Sequence, residues 1–165
     1  MRRLSFLAVV FAIAFVQGGC AAINSTAGSP PPNSPNEPSP LKSQSMKITL
    51  RIEDKILTAT LIESKTSRDF VSLLPLTLTM NDLFRREKFA HLPRAISEEG
   101  KRVHTYEVGQ VVYWSPGPDV AIFYRHDGEK IPNPGIIVIG KIDSGVAALD
   151  VAGSVKVTIE LHDEQ

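Results

Sequence analysis

The sequence holds a single cysteine, Cys20, among its 165 residues, so no intrachain disulfide exists to staple it. It also lacks a charge excess: 18 basic and 18 acidic residues balance to a net charge of zero. That balance argues against nucleic acid or an anionic membrane surface as the main partner. The one short basic run, Arg85-Arg86-Glu87-Lys88, already contains its own carboxylate. No Gly-x-Ser-x-Gly surrounds Ser115, so a nucleophile elbow has no support. Glycine-rich phosphate-binding patterns are missing as well. His91, His104, His126 and His162 show no i,i+4 pair and no cysteine or acid at metal-ligand spacing. They read as surface or loop histidines, and neither a metal nor a cofactor is expected.

What is present begins with an address. Met1-Arg2-Arg3 precedes an apolar run from Leu4 to Val16 that only Ser5 interrupts. A basic start and a short hydrophobic stretch make the pattern of a secretory signal peptide over residues 1–19, whereas a permanent membrane span needs roughly 20 apolar residues. Gln17-Gly18-Gly19-Cys20-Ala21-Ala22 resembles the bacterial lipoprotein signal, in which the cysteine is acylated and becomes the mature N-terminus. The resemblance implies a lipid-anchored protein facing the periplasm or the cell exterior. Ordinary signal-peptidase cleavage near Ala21 or Ala22, discarding Cys20, is the alternative.

Residues 20–45 then read as a tether. Ser29 to Pro40 holds half of the chain's 12 prolines and no large apolar residue. Such a segment cannot bury enough surface to offset its ordering entropy. A spacer is preferred over bait for an SH3-like module, an unlikely partner in a bacterial envelope.

The folded domain is expected over 46–165. Met46 to Arg51 and Ile56 to Ile62 alternate at period two and predict a hairpin. Thr66 followed by Asp69 reads as a capping box, with Phe70, Leu73 and Leu74 at helical spacing and Pro75 as the stop. Leu76 to Met80 alternates as a third strand. Asn81 to Lys101 shows no clear periodicity and reads as a long loop of the kind that often carries function. The centre is Val111 to Arg125, two nearly continuous apolar and aromatic runs around Ser115-Pro116-Gly117-Pro118-Asp119. They predict central strands buried on both faces and a tight turn in which Gly117 allows positive φ and Asp119 can bond its own backbone. Ile136 to Ile142, a brief helical segment at Gly145–Leu149 and an alternating strand from Val155 to Leu161 complete a mainly β chain. Many short strands with one or two short helices predict a closed or nearly closed barrel.

Gly109-Gln110-Val111-Val112-Tyr113-Trp114, Asp119-Val120-Ala121-Ile122-Phe123-Tyr124 and Ile139-Gly140-Lys141-Ile142-Asp143-Ser144-Gly145-Val146 resemble the bacterial cyclophilin-like domain family. Leu76-Thr77-Leu78 and Leu92-Pro93 extend the likeness, over roughly Met46 to Leu161. The resemblance implies a cyclophilin-like barrel of about eight strands with a helix at each end. It does not carry the isomerase activity over. Aligned on Ile139-Gly140, the cyclophilin tryptophan and histidine positions carry Ile131 and Ile136. Phe89-Ala90-His91 is followed by Leu92 rather than arginine, and no Gln-Gly-Gly-Asp occurs. No catalytic residue is therefore assigned, and Arg94 is the nearest arginine to that segment.

Among the aromatics, Trp114, Tyr113, Phe123 and Tyr124 divide between a ligand groove and barrel core, with core claiming at least half. Phe84, His91 and Tyr106 lie nearer the irregular region. The groove candidates are thus Phe84, His91, Tyr106, Trp114 and Phe123. Three function classes follow: a lipid-anchored module binding a peptide or small molecule, which is preferred; a residual peptidyl-prolyl isomerase; and a purely structural envelope lipoprotein. The ligand and the oligomeric state are not legible.

Overall fold

The structure, a computed structural model, describes residues 45–163. The signal-peptide, Cys20 and tether expectations fall on earlier residues and lie outside the described ones.

Strands β1 (Lys47–Ile52) and β2 (Lys55–Leu61) form the first antiparallel hairpin. Their alternation sends Ile48, Leu50, Ile52, Leu57, Ala59 and Leu61 into the core. Helix α1 (Lys65–Val71) follows. Its N-cap is Ser64, not Thr66 as expected: Ser64 has extended backbone, φ −152° and ψ 162°, and its Oγ accepts from Ser67 N at 3.0 Å. A cap must stand just outside the helix, and Thr66 is already inside the first turn and buried. Asp69 does not complete a capping box; it accepts from Ser97 N at 2.7 Å. Phe70 is buried, while Leu73 and Leu74 pack partly buried beyond the helix end.

The expected long loop is half wrong. β3 (Leu76–Leu83) runs three residues past Met80, and a further strand, β4 (Glu87–His91), pairs back onto it. β4 hides from periodicity because its buried positions are polar: Glu87 and Lys88 are 6% and 0% exposed. A two-residue strand β5 (Arg102–Val103) follows. The central hairpin, β6 (Gln110–Trp114) and β7 (Asp119–Phe123), stands where the apolar runs place it. Strand β8 (Ile136–Ile142), a 3₁₀ turn Val146–Leu149 and strand β9 (Val155–Leu161) complete the chain.

Eight strands close into an antiparallel barrel in the order β1-β2-β8-β6-β7-β4-β3-β9 and back to β1, with β5 flanking β8. Closure leaves no open edge in the ring. It depends on Gly140, where β8 meets β2: a Cβ there would lie 2.8 Å from Thr60 O and 2.7 Å from Leu61 Cδ2.

The central strands are buried on both faces, as their unbroken apolar runs predict. Val111, Tyr113, Val120 and Ile122 join the barrel interior. Val112, Ala121 and Phe123 face outward into a second apolar cluster with Tyr106, Ile131 and Ile136. Loop segments around 104–106 and 126–135 therefore cover one outer face of the barrel. The turn differs from expectation at two points. Gly117 does not take positive φ. The space over its Cα is filled by the Asp119 carboxylate, which a Cβ would meet at 2.0 Å. Asp119 consequently looks away from its own backbone and toward His91.

Candidate functional site

The second apolar cluster does not fill its own space. Between the outer face of the β4–β7–β6 strands and the covering loop lies a slot of about 220 Å³. Its walls are Phe89, Val112, Trp114, Ala121, Ile131 and Ile136, with Leu83, Phe84 and Pro132 at its rim and Arg86, Glu87 and Asp119 as its polar groups. Strand register explains the grouping. Glu87 pairs with Phe123, Phe89 with Ala121 and His91 with Asp119, and directly opposite residues of an antiparallel pair share one face. All six therefore face outward, and four of them, Glu87, Phe89, Asp119 and Ala121, line the slot.

The five aromatic and histidine candidates gather around this site in different roles. Phe84 and Trp114 line the slot. Phe123 lies fully buried beneath it, and Tyr106 stacks on Phe123 with centroids 3.9 Å apart. His91 stands at the edge, its Nδ1 donating to Gly117 O at 2.9 Å. The same nitrogen lies 2.5 Å from Asp119 Oδ1, a buried oxygen with no hydrogen-bond partner among the described residues. Tyr113 and Tyr124 belong to the barrel interior. Arg94 has no part in the slot: it bonds Asp69 at 2.6 Å and Ser72 Oγ at 2.8 Å beside α1.

Arg86 is the residue that sequence reasoning missed, because it reads as part of a solvated basic run. It is only 7% exposed. Its Nη1 donates to Asp127 Oδ2 at 3.0 Å and its Nε to Glu87 Oε1 at 3.3 Å. The guanidinium carbon sits 5.1 Å from the ring centroid of Phe84, 5.4 Å from Tyr106 and 6.0 Å from Phe123, within range of cation–π attraction. Tyr106 Oη in turn donates to Asp127 Oδ1 at 2.5 Å. That bond, with Arg86 and the Glu129 N–H, holds the Asp127 carboxyl down at about 2. The turn delivering Arg86 is strained. Phe84 and Arg85 both take left-handed backbone, φ 54° and 55°, conformations that cost an L side chain roughly 1–2 kcal/mol. The result keeps Phe84 71% exposed at the slot rim.

Burial pushes the Glu87 carboxyl above the usual carboxylate range, against the pull of Arg86. Asp119 is pushed up by burial too, with His91 opposing. A carboxylate raised in the folded state favours folding when protonated. Its penalty therefore grows as pH rises from the ordinary glutamate value of about 4.3 through the raised one. Glu87→Gln is accordingly expected to raise the melting temperature at pH 7 and to change it little at pH 4. Thermal melts at the two pH values check this, and a fall at pH 7 would mean that the Arg86 pair outweighs desolvation.

Among the described residues no group of three or more His, Cys, Asp or Glu is arranged to hold a metal. The slot offers instead apolar walls with one fixed cation and two desolvated carboxylates. Pockets that combine apolar lining with a few convergent polar groups of shifted pKa are the usual form of a small-molecule site.

Comparison with known proteins agrees with this architecture. No curated protein matches the chain. A solved structure that does, the solution structure of the hypothetical protein AF2241 from Archaeoglobus fulgidus, is 26% identical with a TM-score of 0.59. The match covers 72% of this chain and 95% of that one. The family model described as the cyclophilin-like family matches residues 50–160, from β1 through β9 and with the whole slot inside. The chain belongs to the cyclophilin-like family.

Proposed function

We propose that the protein is an envelope-anchored module that binds a small apolar ligand in the slot outside the barrel. The observation that carries this reading is the slot itself: apolar walls around empty space, with Arg86 and Glu87 kept dry beside it. Apolar cavities of about 150 Å³ already admit benzene. Extended peptides need more, since ligand pockets commonly run to about 300–1,000 Å³. A fragment-sized molecule, or at most one side chain of a peptide, fits best.

Trp114 walls the slot and is the chain's only tryptophan, so its emission reports occupancy. Titrating toluene into the full chain is expected to change that emission along a saturable curve. A change that is only linear in toluene would mean bulk partitioning and no site.

The anchor rests on Cys20 and the short apolar run before it. Cys20→Ser is expected to release the protein from the membrane fraction or to leave it unprocessed. Unchanged membrane association, without a lipid adduct by mass spectrometry, would remove the anchor from the account.

One observation favours an isomerase as the second reading. Ile131 and Ile136, at the aligned tryptophan and histidine positions, both wall the slot, and Arg86 supplies a guanidinium there. An X-Pro bond turns over a barrier of ~18–20 kcal/mol, and catalysis requires a donor free to stabilise the twisted amide. The Arg86 charge is already shared between Asp127 and Glu87, so what its remaining N–H offers a planar amide it offers a twisted one about equally, and equal binding accelerates nothing. The expected result is no turnover above background on proline peptides. Clear turnover that vanishes in Arg86→Ala would make the enzyme reading the correct one.

A further inference from the structure

Resting on the reading of the slot as a small-ligand site, we infer that its ligand carries an amide edge on an apolar body. The ligand C=O accepts from Arg86, and its neighbouring N–H donates to Glu87.

The two protein groups are more than nine-tenths buried and line the same slot. Their mutual bond, Nε to Oε1, sets guanidinium and carboxylate side by side. Asp127 occupies Nη1. Among the described residues nothing bonds Arg86 Nη2 or Glu87 Oε2, which leaves a donor and an acceptor open on neighbouring residues. The guanidinium is held in place by Asp127 and three aromatic rings, Tyr106 fixes Asp127, and the guanidinium in turn holds Glu87 through its Nε. Both side chains are almost wholly buried, so a ligand that meets both donor and acceptor displaces little water and gains over a hydrocarbon of the same shape.

Charge decides among polar ligands. A carboxylate would satisfy Arg86 but press its charge toward Glu87, with Asp119 and Asp127 also near. An ammonium group would satisfy Glu87, with Asp119 and Asp127 also near, but sit against the Arg86 cation. Mismatched charge in a dry site is a strong means of rejection. A neutral amide, with donor and acceptor on one edge, meets each group with its complement.

The test is titration of the full chain with toluene, benzamide, benzoate and benzylamine, read by calorimetry and Trp114 emission. Benzamide is expected to bind at least about tenfold tighter than the other three. In Glu87→Gln, benzamide should stay within a few-fold, because the glutamine oxygen still accepts. Benzoate should gain about tenfold or more, because the neighbouring negative charge is gone. Benzylamine binding tightest would overturn the inference, as would benzamide equal to toluene or benzoate unaffected by Glu87→Gln. If toluene binds saturably and benzamide is no better, the amide edge alone is wrong. If toluene does not bind, the slot reading falls with it.

Discussion

Lys88→Met is expected to destabilise the barrel by about 3–5 kcal/mol, the usual cost of removing one partner from a buried ion pair. Lys88 points into the barrel and is 0% exposed. Its ammonium donates to Asp82 Oδ2 at 2.7 Å and to the carbonyls of Val151 and Gly153 at 2.6 Å each. All three of its protons are thus used, and it lies 5.5 Å from the ring centroid of Tyr124. Methionine fills similar volume but leaves two carbonyls and a carboxylate without their donor. Asp82 keeps only Tyr124 Oη, at 2.6 Å, and Arg85 N as partners. Burial and the Asp82 charge already push the Tyr124 hydroxyl up to about 12, so the phenol stays a donor throughout the neutral range. Thermal denaturation should show a loss of roughly 10–20 °C. Adding Asp82→Asn should recover part of it, because the stranded charge is then gone. A single variant within a degree or two of wild type would show that the lysine tie is ornamental.

Ala121→Phe is expected to abolish toluene binding while the fold survives. Ala121 faces Phe89 across the β4–β7 pair and walls the slot. A phenyl ring there grows into space that is already empty, so the overpacking penalty of about 1–3 kcal/mol seen in filled cores is not due in full. Affinity read by Trp114 emission should fall at least tenfold, or about 1.4 kcal/mol, with the far-ultraviolet circular dichroism of the wild type. Retained affinity in a folded variant would place the ligand elsewhere. The hollow bordered by Asp82, Arg85 and Asp150 would then be the next candidate.

The strands that sequence patterns locate well are those with a simple burial code. β1, β2 and β9 alternate because one face meets the core, and the β6–β7 hairpin is continuously apolar because both faces are covered. β4 breaks the code twice. It turns a charged Lys88 inward to tie down the 151–153 segment, and it turns a charged Glu87 outward beneath a loop. Neither contact is visible until the chain has closed, since their partners lie up to 65 residues away. The same logic hides Arg86. Its burial comes from Asp127 and from the rings of Tyr106 and Phe123, all distant in sequence, with Phe84 alone close by. What could have flagged the region is Phe84-Arg85 in the three-residue turn between β3 and β4, at left-handed positions where asparagine and glycine are the comfortable choices. Thr66 was the simpler miss: two serines and a threonine within four residues offer rival caps, and only backbone geometry selects Ser64.

The five groove candidates were legible as aromatics near an irregular stretch, yet their roles were not. Only the folded packing separates Phe84 and Trp114, which line the slot, from Phe123, which Tyr106 covers by stacking on its ring. Ile131 and Ile136 look like plain core by composition. Their place at the slot wall follows from Ile136 facing outward at the start of β8, beside β6, and from the loop before it lying over the outer face of the hairpin.

The most direct measurement is a backbone-amide NMR titration of the full chain with toluene, with shift changes mapped by residue. The account predicts saturable changes concentrated at Phe84, Glu87, Phe89, Val112, Trp114, Ala121 and Ile131, and none of comparable size along β1, β2 or β9. Shifts spread evenly over the barrel, or concentrated away from the outer face of the β6–β7 hairpin, would contradict it.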